Sequence, residues 1–166
     1  MKKFIICALC AICGFTTANA QAKFGHVNTQ EIMQAMPEYN KAMSEIETLG
    51  QQYEADLKSM QDELQKKVEA FQKEQESLPE NIKQRRQQEL EEMYQKIQQS
   101  AQDNQLAWQK ARQEKMQTIS TKIMDAIKAV GQAGGYVYVM EMGSIPYIST
   151  TLSTDVTAQV KAKLGL

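Results

Sequence analysis

The chain has 166 residues, 19 Lys and Arg against 20 Asp and Glu, a formal charge of −1, and a single histidine. That length allows one ordinary domain, and the near-balance of charge argues against a nucleic-acid partner, which calls for a basic face. The three cysteines, Cys7, Cys10 and Cys13, all lie near the N-terminus.

Met1-Lys2-Lys3, the apolar run over residues 4–15 and the small residues Ala18-Asn19-Ala20 read as a secretory signal peptide cut after Ala20. The run is short for a membrane span, so an uncleaved anchor is the weaker reading. All three cysteines leave with the leader. Disulfides, thiol catalysis and cysteine-ligated metal go with them. Loss of Lys2 and Lys3 leaves 17 basic against 20 acidic residues, a charge of −3.

Residues 22–27 are a strand candidate and residues 29–36 a short helix, with Asn28 or Thr29 placed to cap it. Pro37 either ends that helix or opens the next, where a missing N–H costs nothing. His26 stands alone, and a lone histidine without partners makes a poor catalyst or metal site.

Residues 37–130 read as one helical hairpin, broken once at Ser77-Leu78-Pro79-Glu80-Asn81. The first arm places Ile46, Leu49, Tyr53, Leu57, Met60, Leu64, Val68 and Phe71 on one stripe; the second answers with Leu90, Met93, Ile97, Ala101, Trp108, Ala111, Ile119 and Ile123. Ile46, Leu57 and Val68 stand eleven apart, as do Ile97, Trp108 and Ile119, a period that predicts little supercoil. A reversal near Leu78 and Pro79 makes facing numbers add to about 157, so Leu49 meets Trp108, Met60 meets Ile97 and Leu64 meets Met93. The same register sets Glu45 opposite Arg112, Glu47 opposite Lys110, Lys66 opposite Glu91 and Glu74 opposite Lys83. Residues 38–78 hold five Lys against ten acids and residues 79–130 nine Lys and Arg against seven, which favours antiparallel arms.

Within the first arm Gly50 reads as a pivot or as a tolerated interruption. At the tip Ser77 and Glu80 have capping-box spacing. Lys83, Arg85 and Arg86 form a basic cluster there, a candidate contact for anionic lipid or a client and otherwise, as the stronger reading, a solvated helix start.

Gly131, Gly134 and Gly135 are expected to end the second arm. Residues 136–140 read as a strand, Met142-Gly143-Ser144 as a turn, residues 145–149 as another strand with Pro146 at an edge, and Asp155 as the cap of a last helix through Leu164. The fold class expected is mainly α with a small β body: residues 21–37 and 119–166 form the body, and residues 38–118 project from it as a long antiparallel hairpin. Such a body has open strand edges and too little core to stand alone, so association of copies is the expected remedy, with Val27, Val137, Tyr138, Val139 and Ile148 as candidate contacts.

No Gly-rich phosphate loop, histidine pair or mature cysteine supports an enzyme, and no cofactor is expected. That leaves two roles of another kind, a structural spacer and a protein that holds partners along its surface. A spacer is polar everywhere off its seam, whereas a holding protein needs apolar residues left over. At about 98° per residue Leu106 and Met124 point away from the stripe, and Met43 and Met116 lie at its margin. Methionine suits surfaces that accept many partners, although Met124 can equally pack in the body.

Phe24-Gly25-His26-Val27-Asn28-Thr29-Gln30-Glu31-Ile32, then Met36-Pro37-Glu38, the hairpin, the Tyr-rich strand and Asp155-Val156-Thr157 before Val160 together resemble the Skp/OmpH family of periplasmic chaperones. The resemblance covers essentially the whole mature chain. It implies a periplasmic homotrimer whose strands join three bodies and whose hairpins enclose unfolded outer-membrane proteins without ATP. Family members are often strongly basic, whereas this mature chain is slightly acidic, so the resemblance does not extend to electrostatic capture of acidic clients or lipopolysaccharide.

Overall fold

The computed structural model describes residues 22–166; the expected leader, the expected cut after Ala20 and the three cysteines lie outside them. The first strand, β1 (Lys23–Val27), leads into helix α1 (Thr29–Ala35). Asn28 is the cap: its side chain accepts from the Glu31 N–H at 3.0 Å. Pro37 disfavours the helical conformation at Met36, which is extended at φ −76°, ψ 121°, and itself occupies the first turn of α2 (Pro37–Glu74). It therefore ends one helix and opens the next. Met36 turns its side chain into the core, 1% exposed.

The 38 residues of α2 span roughly 57 Å and the 55 of α3 (Glu80–Gly134) roughly 82 Å at 1.5 Å per residue. All eight expected seam residues of the first arm are buried or half-buried, and between Ile46 and Phe71 the one other residue not exposed is Gly50. In the second arm Ile97, Ile119 and Ile123 are buried and Leu90, Met93, Ala101, Trp108 and Ala111 half-buried. Each arm thus has one apolar seam and a solvated back.

The tip differs from the expected capping box. The Ser77 hydroxyl donates back to the Glu74 carbonyl at 2.8 Å, closing the first arm, and α3 starts after Pro79 without a side-chain cap. At its far end α3 runs through Gly131 and Gly134 and stops at Gly135, whose φ of 65° suits glycine and whose N–H returns to the Gln132 and Gly131 carbonyls. Gly134 serves a close approach instead: a Cβ there would lie 2.3 Å from the Tyr136 ring.

Strands β2 (Tyr136–Glu141) and β3 (Ser153–Asp155) flank β1 in a parallel sheet of order β2-β1-β3. Residues 145–149 are not a strand. After a 3-10 turn at Met142–Ser144 the chain stays irregular to Ser153, because a parallel partner for β1 must begin at the other end of the sheet and residues 145–152 are spent returning there. Pro146, which lacks a ladder donor, suits this path. Asp155 accepts from the Thr157 N–H at 2.8 Å and starts α4 (Thr157–Leu164).

One core unites these pieces. Val27, Ile32, Met36, Val156 and Val160 are fully buried and pack with Ile119, Ile123, Ala126 and Val130 of the α3 base. Burial of each large side chain contributes about 1.5–3 kcal/mol. The part of α3 that outruns α2 thus packs against the sheet and short helices.

Candidate interaction surfaces

Near the base of the hairpin the seam has a polar anchor. The Trp108 Nε1–H donates to the Ile46 carbonyl at 3.1 Å, Arg112 lies 5.7 Å from its ring centroid, and a Cβ on Gly50 would come within 3.3 Å of Nε1. Gly50 lies within an unbroken helix and gives the indole its seat. A groove of about 350 Å³ continues between the arms from there, lined by Tyr53, Leu57, Ala101 and Asn104 among others.

The arms face each other near the expected register, but the ion pairs do not. Glu45 meets Lys115 rather than Arg112, Glu74 meets Arg86 at 2.7 Å rather than Lys83, and Glu38 meets Lys122 at 3.1 Å. Lys110 turns to Glu114 of its own helix. The partners of Glu45 and Glu74 each lie three residues further along the chain than expected, a distance of about one turn that a long side chain spans. The Glu38 carboxyl is held below the ordinary range by its own backbone N–H and then by Lys122; that of Glu45 is lowered by Lys115. Both side chains are exposed to solvent, so the pairs specify register more than they stabilise it.

The tip cations are not free. Lys83 pairs with Glu80 at 3.7 Å, Arg85 with Glu89 at 3.5 Å and Arg86 with Glu74. The cluster expected at Lys83, Arg85 and Arg86 is balanced by carboxylates.

Of the leftover apolar residues, Leu106 is 64% exposed and Met43 and Met124 are also exposed. Met116 is different: it is half-buried against the core. Tyr94, half exposed beside the seam residue Met93, was missed, although the same angular arithmetic would have found it.

The sheet has two unlike faces. Gly25 and Val27 turn into the core with Tyr136 and Val139, whereas Phe24, His26, Tyr138 and Met140 share the opposite face, where the Phe24 and Tyr138 rings stack at 4.8 Å. A bulge explains why Tyr136 and Val139 point the same way: Lys23 pairs with Tyr136 and Phe24 with Tyr138, leaving Val137 unmatched and 65% exposed. Simple alternation along the strand therefore fails. Val27 is buried inside the single chain, and Val139 is partly buried against the core. Val137 and Tyr138 stay exposed, Ile148 is half-buried in the crossover, and Tyr147 and Leu152, which were missed, are 80% and 64% exposed.

Thr157 is the one buried polar residue among those described, and its hydroxyl accepts from the Asn28 N–H at 3.0 Å. Among the described residues no cluster of metal-ligating side chains stands together, and no helix is long and apolar enough to cross a membrane.

The sequence profile of the family described as outer membrane protein (OmpH-like) matches residues 23–164. The chaperone protein Skp of Yersinia enterocolitica is 25% identical over 97% of this chain and all of its own length, and that of Pectobacterium atrosepticum is 26% identical over the same shares. A crystal structure of an OmpH-like protein from Caulobacter crescentus shares the fold, with a TM-score of 0.76 over 87% of this chain and 85% of its own at 15% identity. The two thin arms on a small parallel sheet are thus a shared architecture, and the chain belongs to the OmpH-like family of outer membrane proteins, the family of the Skp chaperones.

Proposed function

We propose that the protein is an ATP-independent periplasmic holdase, exported and cut after Ala20, that shelters unfolded outer-membrane proteins between the hairpins of three associated copies. The observation that carries this reading is the make-up of the hairpin: a seam buried or half-buried along its length, a charged outer surface, and exposed Met43, Tyr94 and Leu106 scattered on it. Such a wall makes many weak contacts and no deep one, so a client stays mobile and leaves without nucleotide. Enclosure does most of the protecting by keeping aggregation-prone strands apart. The relatives named as chaperones support the same reading.

Association is assigned to the sheet face away from the helices. Tyr138 and Met140 on that face, with Val137 at the bulge, are exposed apolar side chains on an edge strand, where a second copy both buries them and covers the edge. With its cations paired, the tip supplies no free basic cluster, and the reading includes no lipid or lipopolysaccharide contact there.

The test is an aggregation assay in which a denatured outer-membrane barrel is diluted into buffer without nucleotide. The mature protein should keep it soluble at about one trimer per client. Aggregation at the rate of the barrel alone would favour a spacer that joins envelope components.

A further inference from the structure

Charge is not spread evenly over the outer side of α3. Gln95, Gln99, Gln102, Gln109, Gln113 and Gln117, with Leu106 among them, follow one another at steps of three and four, so they form one row along the helix. Every one is exposed. Gln95, Gln99, Leu106, Gln109 and Gln117 each precede a seam residue by two, and two residues turn the helix through about 200°. The row therefore stands opposite the seam, where no described element covers it. Its charged neighbours lie on one flank: Glu92, Lys96, Asp103, Lys110 and Glu114 form a second row there, with Lys110 paired to Glu114. On the other flank stand Gln98 and Gln105. Gln95 and Gln99 donate to Glu91 and Asp103 at 3.1 and 2.9 Å, while the other four glutamines of the row make no side-chain hydrogen bond among the described residues. Each of these amides offers an acceptor oxygen and two donor hydrogens.

We propose that this row binds one extended segment of an unfolded polypeptide, whose main-chain N–H and C=O groups pair with the glutamine amides. The proposal deepens the holding role assigned above and rests on it. Chemistry, length and one apolar side chain choose this occupant. A row without charge neither attracts nor repels a client of either sign, and amides match the peptide groups of a chain that has no sheet partner. From Gln95 to Gln117 the row rises roughly 33 Å at 1.5 Å per residue, the length of an outer-membrane strand of about ten residues at about 3.3 Å each. Leu106, exposed at the middle of the row, meets one of the alternate apolar side chains of such a strand. The repeats differ, about 5.4 Å per helical turn against about 6.6 Å between residues on one side of a strand. No register then satisfies every amide, and the segment slides.

The experiment follows binding of a fluorophore-labelled, urea-denatured outer-membrane barrel to the protein begun at Gln21, by fluorescence anisotropy after dilution into buffer. Circular dichroism and sedimentation verify fold and association. One variant combines Gln102→Glu, Gln109→Glu and Gln117→Glu, and a second combines Gln102→Lys, Gln109→Lys and Gln117→Lys. Each keeps half of the amide's pairing and adds charges that must shed water on contact. Both should bind at least about fivefold more weakly, since one such hydrogen bond is worth roughly a two- to tenfold factor in affinity. Ala107→Glu with Thr121→Glu adds charge at exposed positions on the charged flank and should bind within about twofold of the unaltered protein. If a triple variant does not fold or associate, Gln109→Glu and Gln109→Lys alone are compared, with about a twofold loss expected of each. Effects of opposite sign for Glu and Lys would mean that the row reads charge, and would overturn the proposal. Unchanged affinity in both, or an equal loss in the flank variant, overturns it too and leaves the holding role standing. An unaltered protein that binds no barrel overturns both.

Discussion

Gly50→Ala should have opposite signs of effect depending on residue 108. In an ordinary helix interior the change stabilises by about 1 kcal/mol, because glycine carries the larger backbone entropy. Here the new Cβ would stand 3.3 Å from Trp108 Nε1, so the indole must retreat by a few tenths of an ångström. It is not free to do so, since Nε1–H is bonded to the Ile46 carbonyl at 3.1 Å and Arg112 lies against the ring. Weakening that hydrogen bond costs about 0.5–1.5 kcal/mol, enough to cancel the helix gain or reverse it. Trp108→Ala removes the conflict at its own cost of about 3 kcal/mol, near the low end for a large aromatic because the ring is half-buried. In that background Gly50→Ala should recover the full gain of about 1 kcal/mol. Urea denaturation of the four proteins at one fixed concentration gives the cycle, with a coupling energy of about 1 kcal/mol or more expected. Equal stabilisation in both backgrounds would refute the seat and return Gly50 to a tolerated gap.

Val137→Asp should disperse the assembly with the secondary structure intact, read as a lower sedimentation coefficient, whereas Val139→Asp should also lower the melting temperature because Val139 packs on the core. In a protein begun at Gln21, which has no other cysteine, a cysteine pair at positions 49 and 108 should oxidise readily and a pair at 49 and 97 should not, provided the geometry of a disulfide is met; the reverse on a non-reducing gel would refute the register. Asp155 gives stability a defined acid limb. Its folded carboxyl is lowered, so its contribution is complete above the ordinary carboxylate range and lost as the pH falls through the folded value; Asp155→Asn should flatten that limb in acid titrations followed by circular dichroism, and an unchanged limb would rule it out.

The hairpin was legible because its signal is long. Eight residues at steps of three and four recur across α2, and each is withdrawn from solvent. The ion pairs were not legible, because a charge on a flexible stem reports position only to within a turn, while the arms are anchored by Trp108 in the space that Gly50 leaves. The third strand was invisible for another reason. Ser153-Thr154-Asp155 has no β signature of its own and is recruited by pairing with β1, with the Val156 N–H bonded to the His26 carbonyl at 2.9 Å and Val156 fully buried. Which strand residues face away from the core also escaped the sequence, since one unmatched residue, Val137, moves Val139 onto the core face. Exposed Leu106 and Met43 were found by angle alone, and Met116 was lost to the core because the α3 base packs on more than one side.

The central claim is that the space between the hairpins, and not the body surface, keeps a client from aggregating. Both arms can be shortened symmetrically by excising residues 53–104 and closing the ends with a short turn, which leaves the Trp108 seat, the base of the hairpin and the sheet in place. Light scattering of a diluted, denatured outer-membrane barrel, with the shortened protein verified as folded and associated, is the measurement. Scattering as high as for the barrel alone is the predicted result, and protection equal to that of the full-length protein would contradict the account and move the client to the body.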